Sequence, residues 1–204
     1  MVSAVFRQAV REATGAGWEE WVGKLERSVD PAWSHEQIKA HICEEYQLSD
    51  EWGEWLAVMY GQKLGRVPVG VTKDAGVQIG VRRTLTADRA HLWNVLMSPR
   101  GLALWIGNVP DFQPKKGFEF TSAEGITGKL SVVQPHSHLR TTWKRPEWER
   151  PSRLQIRLLE AKTGTTVAIH QEMLEDVYIR GLMRRHWEEA LRKIEELAVS
   201  SGAR

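Results

Sequence analysis

The stretch Asp176 to Ala198, DVYIRGLMRRHWEEALRKIEELA, places the strongest constraint on the fold. Apolar residues at Ile179, Leu182, Met183, Trp187, Ala190, Leu191, Ile194, Leu197 and Ala198 recur at intervals of three and four, which gathers them into one broad stripe on a long helix. A stripe that wide has to be buried against something. The segments just before it alternate apolar and polar residues as strands do, so the expected arrangement is a curved antiparallel sheet gripping one helix, with a pocket between them.

A chain of 204 residues with 42% hydrophobic side chains can build one domain of ordinary size and a smaller one. The net charge of +2 hides an asymmetry: residues 1–75 carry 8 Lys and Arg against 12 Asp and Glu, and residues 76–204 carry 20 against 14. Two domains of opposite sign are suited to docking on each other. The basic half does not point to nucleic acid, because Arg184, Arg185, Arg192 and Lys193 stand at helical spacing from Glu188, Glu189, Glu195 and Glu196 and pair with them. A single cysteine, Cys43, excludes an internal disulfide and a cysteine-based metal cluster. The opening MVSAVFRQAVREATG carries Arg7, Arg11 and Glu12 where a signal peptide needs an unbroken apolar core, and no later run approaches about 18 apolar residues. The expectation is a cytoplasmic protein with no membrane partner.

From the N-terminus, helices are expected over Ser3 to Ala13, Trp18 to Arg27, His35 to Tyr46 and Asp50 to Leu64. Ser34 and Gln37 form a capping box, Ser49 is a cap and Gly65 a stop. Trp18, Trp21, Trp33, Trp52 and Trp55 are half of the ten tryptophans, and a bundle this small needs such side chains for its core. The set Trp21, Ser34, His35, Ile38, Glu45, Tyr46, Leu48, Ser49, Trp52, Tyr60 and Gly65 resembles a small helical bacterial family of unknown function over roughly residues 14–66. Gln47 and Gly61 depart from its pattern, which has Gly and Glu there. That resemblance implies a domain without assigning it a task.

The segment GRVPVGVTKDAG mixes Gly, Pro and polar residues without a period, so the chain divides into a helical domain over 1–66, a linker over 67–76 and a second domain over 77–204. In the second domain Val77, Ile79 and Val81 alternate as a first strand. A helix starting at Thr86 carries Ala90, Trp93, Val95 and Leu96, and Pro99 opens a short helix through Leu102 and Trp105. Five strands follow, over Gly117 to Thr121, Ile126 to Val133, His138 to Lys144, Arg153 to Glu160 and Thr165 to Glu172.

The order strand, two helices, five strands, long helix belongs to α+β helix-grip folds. Thr86-Ala87-Asp88 with Leu92, Trp93 and Leu96, then Trp105, Gly117-Phe118-Glu119-Phe120, Gly128, Val132, Pro135, Leu139, Thr141-Thr142-Trp143, Thr165-Thr166-Val167, Gly181, and Trp187 through Leu197 carry the resemblance. In that order they resemble the activator-of-heat-shock-protein-ATPase homologue branch of the SRPBCC (START/Bet v 1-like) superfamily over about residues 77–198. The resemblance implies a hydrophobic cavity between sheet and C-terminal helix and no fixed catalytic set.

Aromatic and apolar residues on different elements are the candidates to line that cavity: Trp105, Phe118, Phe120, Leu130, Trp143, Met183 and Trp187, with Trp105 nearest the opening. Phe118 and Phe120 share one face of their strand, and Glu119 and Arg140 point to the opposite side of the sheet. No GxSxG, P-loop, GxGxxG or HExxH signature is present. His136 and His138 share one turn without a third metal ligand, whereas His170 and His186 each sit where a cavity could be faced. The reading is a protein that binds a small apolar or amphipathic molecule without catalysis, cofactor or metal. The alternatives are a cyclase- or hydrolase-type enzyme of the same superfamily, or a chaperone-interacting protein.

Overall fold

The computed structural model describes residues 2–202; positions 1, 203 and 204 of the two assigned domains lie outside the described residues. Four helices come first: α1 (Ala4–Thr14), α2 (Trp18–Ser28), α3 (His35–Tyr46) and α4 (Asp50–Lys63). Their ends follow from local side chains. Ser3 Oγ accepts the Phe6 N–H at 3.0 Å, Ser34 and Gln37 form the reciprocal box, and Ser49 caps Trp52. Phe6, Trp18, Trp21, Leu25, Ile38, Ile42, Leu56 and Tyr60 are buried together, and Trp33, Trp52 and Trp55 pack against them, so all five tryptophans of this region belong to its core. Trp21 meets Tyr46 edge-on at 4.9 Å while its indole N–H reaches Thr14 Oγ1 at 2.7 Å, which satisfies the one polar atom it buries.

The strands β1 (Val71–Thr72), β2 (Gly76–Leu85), β3 (Glu119–Thr121), β4 (Thr127–Gln134), β5 (His138–Trp143), β6 (Ser152–Ala161) and β7 (Gly164–Leu174) form one sheet in the order β1-β2-β7-β6-β5-β4-β3, with every pair antiparallel. Between β2 and β3 run α5 (Arg89–Met97) and α6 (Pro99–Trp105); α7 (Val177–Gly202) closes the chain. Alternation along β5 and β6 turns Leu139, Thr141, Trp143, Leu154, Ile156 and Leu158 toward the helices. The same register puts Arg140, Arg153 and Gln155 on the outer face.

Most elements start or end within two residues of the sequence reading, and three differences have a clear local reason. Part of the expected linker is the edge strand β1, held by Val71 opposite Val77. The strand expected from Gly117 starts at Glu119, because Gly117, at φ +88°, sits in a turn. Helix α5 begins at Arg89, since the Asp88 carboxylate accepts the His91 N–H at 2.8 Å and takes the capping position.

Helix α7 serves two cores. Ile179, Met183, Trp187, Ala190, Leu191, Ile194 and Ala198 bury against the sheet, α5 and α6, whereas Val177 and Tyr178 are buried in the core of the helical module. The Tyr178 ring lies 5.3 Å from Phe6, 6.0 Å from Trp52 and 5.0 Å from Trp55. At Gly181 the Trp55 indole lies so close that a Cβ there would come within 2.4 Å of it. Asp176 clasps the joint: one carboxylate oxygen accepts Ile179 N–H of α7 at 2.9 Å, and the other accepts the Ser3 N–H at 2.8 Å. Among the described residues, no helix is long and apolar enough to cross a membrane.

Candidate ligand-binding site

The space between sheet and α7 is crossed by a chain of buried hydrogen bonds built on three indoles. Trp187 Nε1 donates to Gln171 Oε1 at 2.8 Å, Gln171 Nε2 donates to Ser152 Oγ at 2.8 Å, and Ser152 Oγ donates to the Trp143 carbonyl at 2.8 Å. Trp143 Nε1 in turn donates to the Trp105 carbonyl at 2.8 Å, and Trp105 Nε1 donates to the Leu96 carbonyl at 3.1 Å. Every buried donor on these rings finds an acceptor, so α7, β7, β6, β5, α6 and α5 are tied at fixed separations. The rings form a rigid aromatic wall, with Trp143 5.8 Å from Trp187 and 5.2 Å from Trp148.

Where that wall meets the connection 144–151 between β5 and β6, the satisfaction stops. Three buried side-chain polar atoms among the described residues have no hydrogen-bond partner: Arg145 Nε, Glu175 Oε2 and His186 Nε2. All three border this connection. Arg145 belongs to it and lies 5.7 Å from the Trp143 ring, and Arg145 NH2 stands 3.5 Å from His186 Nδ1. Glu175 reaches it by accepting the Arg150 N–H at 2.8 Å on its other oxygen. The His186 ring packs 4.5 Å from Trp187. Burial, helped by the positive charges of Arg145 and Lys193, pushes the His186 imidazole down to about 4, so it is neutral at physiological pH. A neutral ring accepting at Nδ1 carries its proton on Nε2, and the corner therefore offers two N–H donors and one carboxylate acceptor beside an aromatic wall.

The family described as Activator of Hsp90 ATPase homolog 1-like protein matches residues 86–198, more than half of the chain. The chain belongs to this family. Membership places it in the corresponding branch of the SRPBCC superfamily, with a fold of the ligand-binding or cyclase-like kind. Solved structures resemble about three fifths of this AHSA1-like chain. Protein MLL2253 from Mesorhizobium loti is 24% identical, with 59% of this chain and 95% of that one covered at a TM-score of 0.51. CV1439 from Chromobacterium violaceum is 20% identical, covering 59% and 96% at 0.50. CalU16 from Micromonospora echinospora is 20% identical, covering 62% and 69% at 0.53. At these identities the likeness is one of fold. Among curated proteins, none matches the chain.

Within the AHSA1-like domain, Trp105, Phe120, Leu130, Trp143, Met183 and Trp187 fall in one continuous core and are each at most 5% exposed. Trp105 is 1% exposed and does not stand at an opening, because both its indole N–H and its carbonyl are committed inside the fold. Phe118 is half-buried outside the strand, 5.4 Å from Phe112, which also meets Trp105 at 6.0 Å. His170 lies on the outer face of the sheet, between Gln78 at 2.7 Å and Glu172 at 3.3 Å, so only His186 of the two candidate histidines faces the interior. No group of three or more described His, Cys, Asp or Glu side chains could hold a metal ion. Sequence reasoning passed over Trp148, Arg145 and Glu175. The available signal was a tryptophan at position 148, flanked by Arg145, Glu147, Glu149 and Arg150, in a connection too polar to need it.

Proposed function

We propose that this AHSA1-like protein binds a small amphipathic molecule between the sheet and α7. The apolar body of that molecule lies against Trp143, Trp148, Met183 and Trp187, and its polar end is held by His186 and Arg145. One observation carries this reading: the unpartnered buried polar atoms named above all belong to, or contact, the connection 144–151 beside the aromatic wall. An unsatisfied buried polar atom costs about 1 to 3 kcal/mol, and a ligand oxygen bonded there would recover part of that cost. The connection 144–151 is the entry, since it covers the corner and, past the bridge of Lys144 to Thr127, has only turns and bends. Binding without transformation is supported by His186 itself, because an imidazole with a pKa of about 4 is a weak general base near neutrality. Trp105, Phe118, Phe120 and Leu130 brace the wall. Residues 1–66 act as a separate helical domain that steadies the first turn of α7.

Native mass spectrometry of freshly purified protein tests this directly. A retained mass in the wild type that is lost in a folded His186→Leu variant is expected. A ligand retained equally by both proteins would refute the assignment of the polar end.

A further inference from the structure

A second cleft, of about 450 Å³, opens where α4, the segment after it and α7 meet. Its lining is mostly apolar: Trp55, Val58 and Val177 form the floor, and Val67 and Val69, 77% and 81% exposed, stand at the rim. Two large apolar side chains left in water at one rim suit a surface that takes an apolar occupant. Two guanidinium groups also line the cleft, and neither has a carboxylate partner among the described residues. Arg180 Nε donates to the Gln78 carbonyl at 2.8 Å, and Arg66 NH2 donates to the carbonyls of Pro31 and Trp33. The acid on the cleft wall, Glu54, is already taken by His35 at 3.0 Å and Lys39 at 3.5 Å.

The position of Arg180 is built into the backbone. A Cβ on Gly70 would fall 1.9 Å from Arg180 Nε, and Gly70 has φ +84°, so the chain turns there in a conformation that leaves room for the guanidinium. Burial and the neighbouring Arg184 both disfavour the charge on Arg180. An anion at that point would offset this.

We infer that the cleft between α4, residues 66–69 and α7 is a second binding site, for an amphipathic carboxylate whose head group pairs with Arg180 and whose chain lies along Trp55, Val58 and the rim valines. The occupant is anionic because both cations lack counter-charges, while the acid on the wall, Glu54, is engaged by His35 and by Lys39, which also pairs with Asp50. It is apolar beyond the head group because the rest of the wall offers little to hydrogen-bond. A site made jointly by the helical module and α7 also gives the module a role the AHSA1-like domain cannot supply alone.

Decanoate and decanol are the probes, and the emission of the full chain, in which Trp55 lines the cleft, is the readout. Decanoate is expected to shift the emission, and Arg180→Gln to weaken decanoate binding about tenfold while leaving the weaker decanol binding unchanged. Val58→Trp, which fills the floor, should weaken both probes, and His186→Leu should weaken neither at this cleft. The inference is overturned if decanoate binds Arg180→Gln and Val58→Trp as well as the wild type. It is equally overturned if Arg180→Gln affects decanol and decanoate alike, or if His186→Leu abolishes the signal.

Discussion

Acid should weaken this fold through His186 in a defined pH window. The ring sits against Trp187 and beside Arg145, and its pKa falls from the ordinary 6.5 to about 4. Above pH 6.5 the imidazole is neutral in both folded and unfolded chains and contributes no pH dependence. As pH falls from 6.5 toward 4, the unfolded chain takes up a proton that the folded protein refuses, so stability drops throughout that interval and levels off below it. At about 1.4 kcal/mol for each pH unit, the full loss is about 3 kcal/mol, with partial exposure of the ring bringing it toward about 2. Carboxylates titrate nearby, so the measurement is a difference: urea unfolding of wild type and His186→Leu across the window. Near neutrality His186→Leu should be at least as stable as wild type, since it removes an unpartnered buried N–H. Toward pH 4 its advantage should widen by about 2 to 3 kcal/mol. A difference between the two proteins that stays flat to within about 0.5 kcal/mol across the window would show that His186 is not held neutral by its surroundings.

Trp187→Ala removes a fully buried ring and the donor to Gln171, and should cost about 3 to 5 kcal/mol in chemical denaturation; a loss under about 1 kcal/mol would contradict the chain of indole bonds. Gly181→Ala should destabilise the wild type, where the new Cβ meets the Trp55 ring, and stabilise a Trp55→Ala background by about 1 kcal/mol through helix propensity. Equal effects in both backgrounds, read from thermal melts, would separate Gly181 from Trp55. Proteolytic cleavage within residues 66–76 should leave the two fragments co-eluting on gel filtration, because Val177 and Tyr178 are buried in the helical core and Asp176 bonds Ser3. Fragments that separate without denaturant would contradict that joint.

Helix caps and strand faces were legible because they depend on near neighbours. Ser34, Gln37 and Ser49 act within one turn, and the alternation through Leu139, Thr141 and Trp143 records one buried face. The stripe on the last helix was legible as a stripe but not as two. Leu182 and Met183 are adjacent in sequence and about 100° apart around the axis, and they pack on different cores. Only the placement of the helical module separates them. The polar corner was illegible for a related reason: Arg145, Trp148 and Glu175 lie in connections with no period, and their meeting with His186 depends on the β5–β6 and β7–α7 turns closing over the same end of the sheet. Phe118 was assigned to the strand face because a glycine at positive φ is invisible to alternation.

The clasp between Ser3 and Asp176 has a consequence for the order of events during synthesis. The two residues are 173 positions apart, and at about 5 to 20 residues per second a ribosome needs about 9 to 35 seconds to make the second after the first. Once residue 66 is made, the helical module is complete in sequence yet lacks Val177 and Tyr178 from its core until those residues follow. Phe6, Trp52 and Trp55 then have no Tyr178 ring to meet. The helical module, made before the sheet, thus completes its core only after the sheet's strands, and a nascent chain stalled before residue 177 would present an aromatic face to whatever waits at the exit of the ribosomal tunnel.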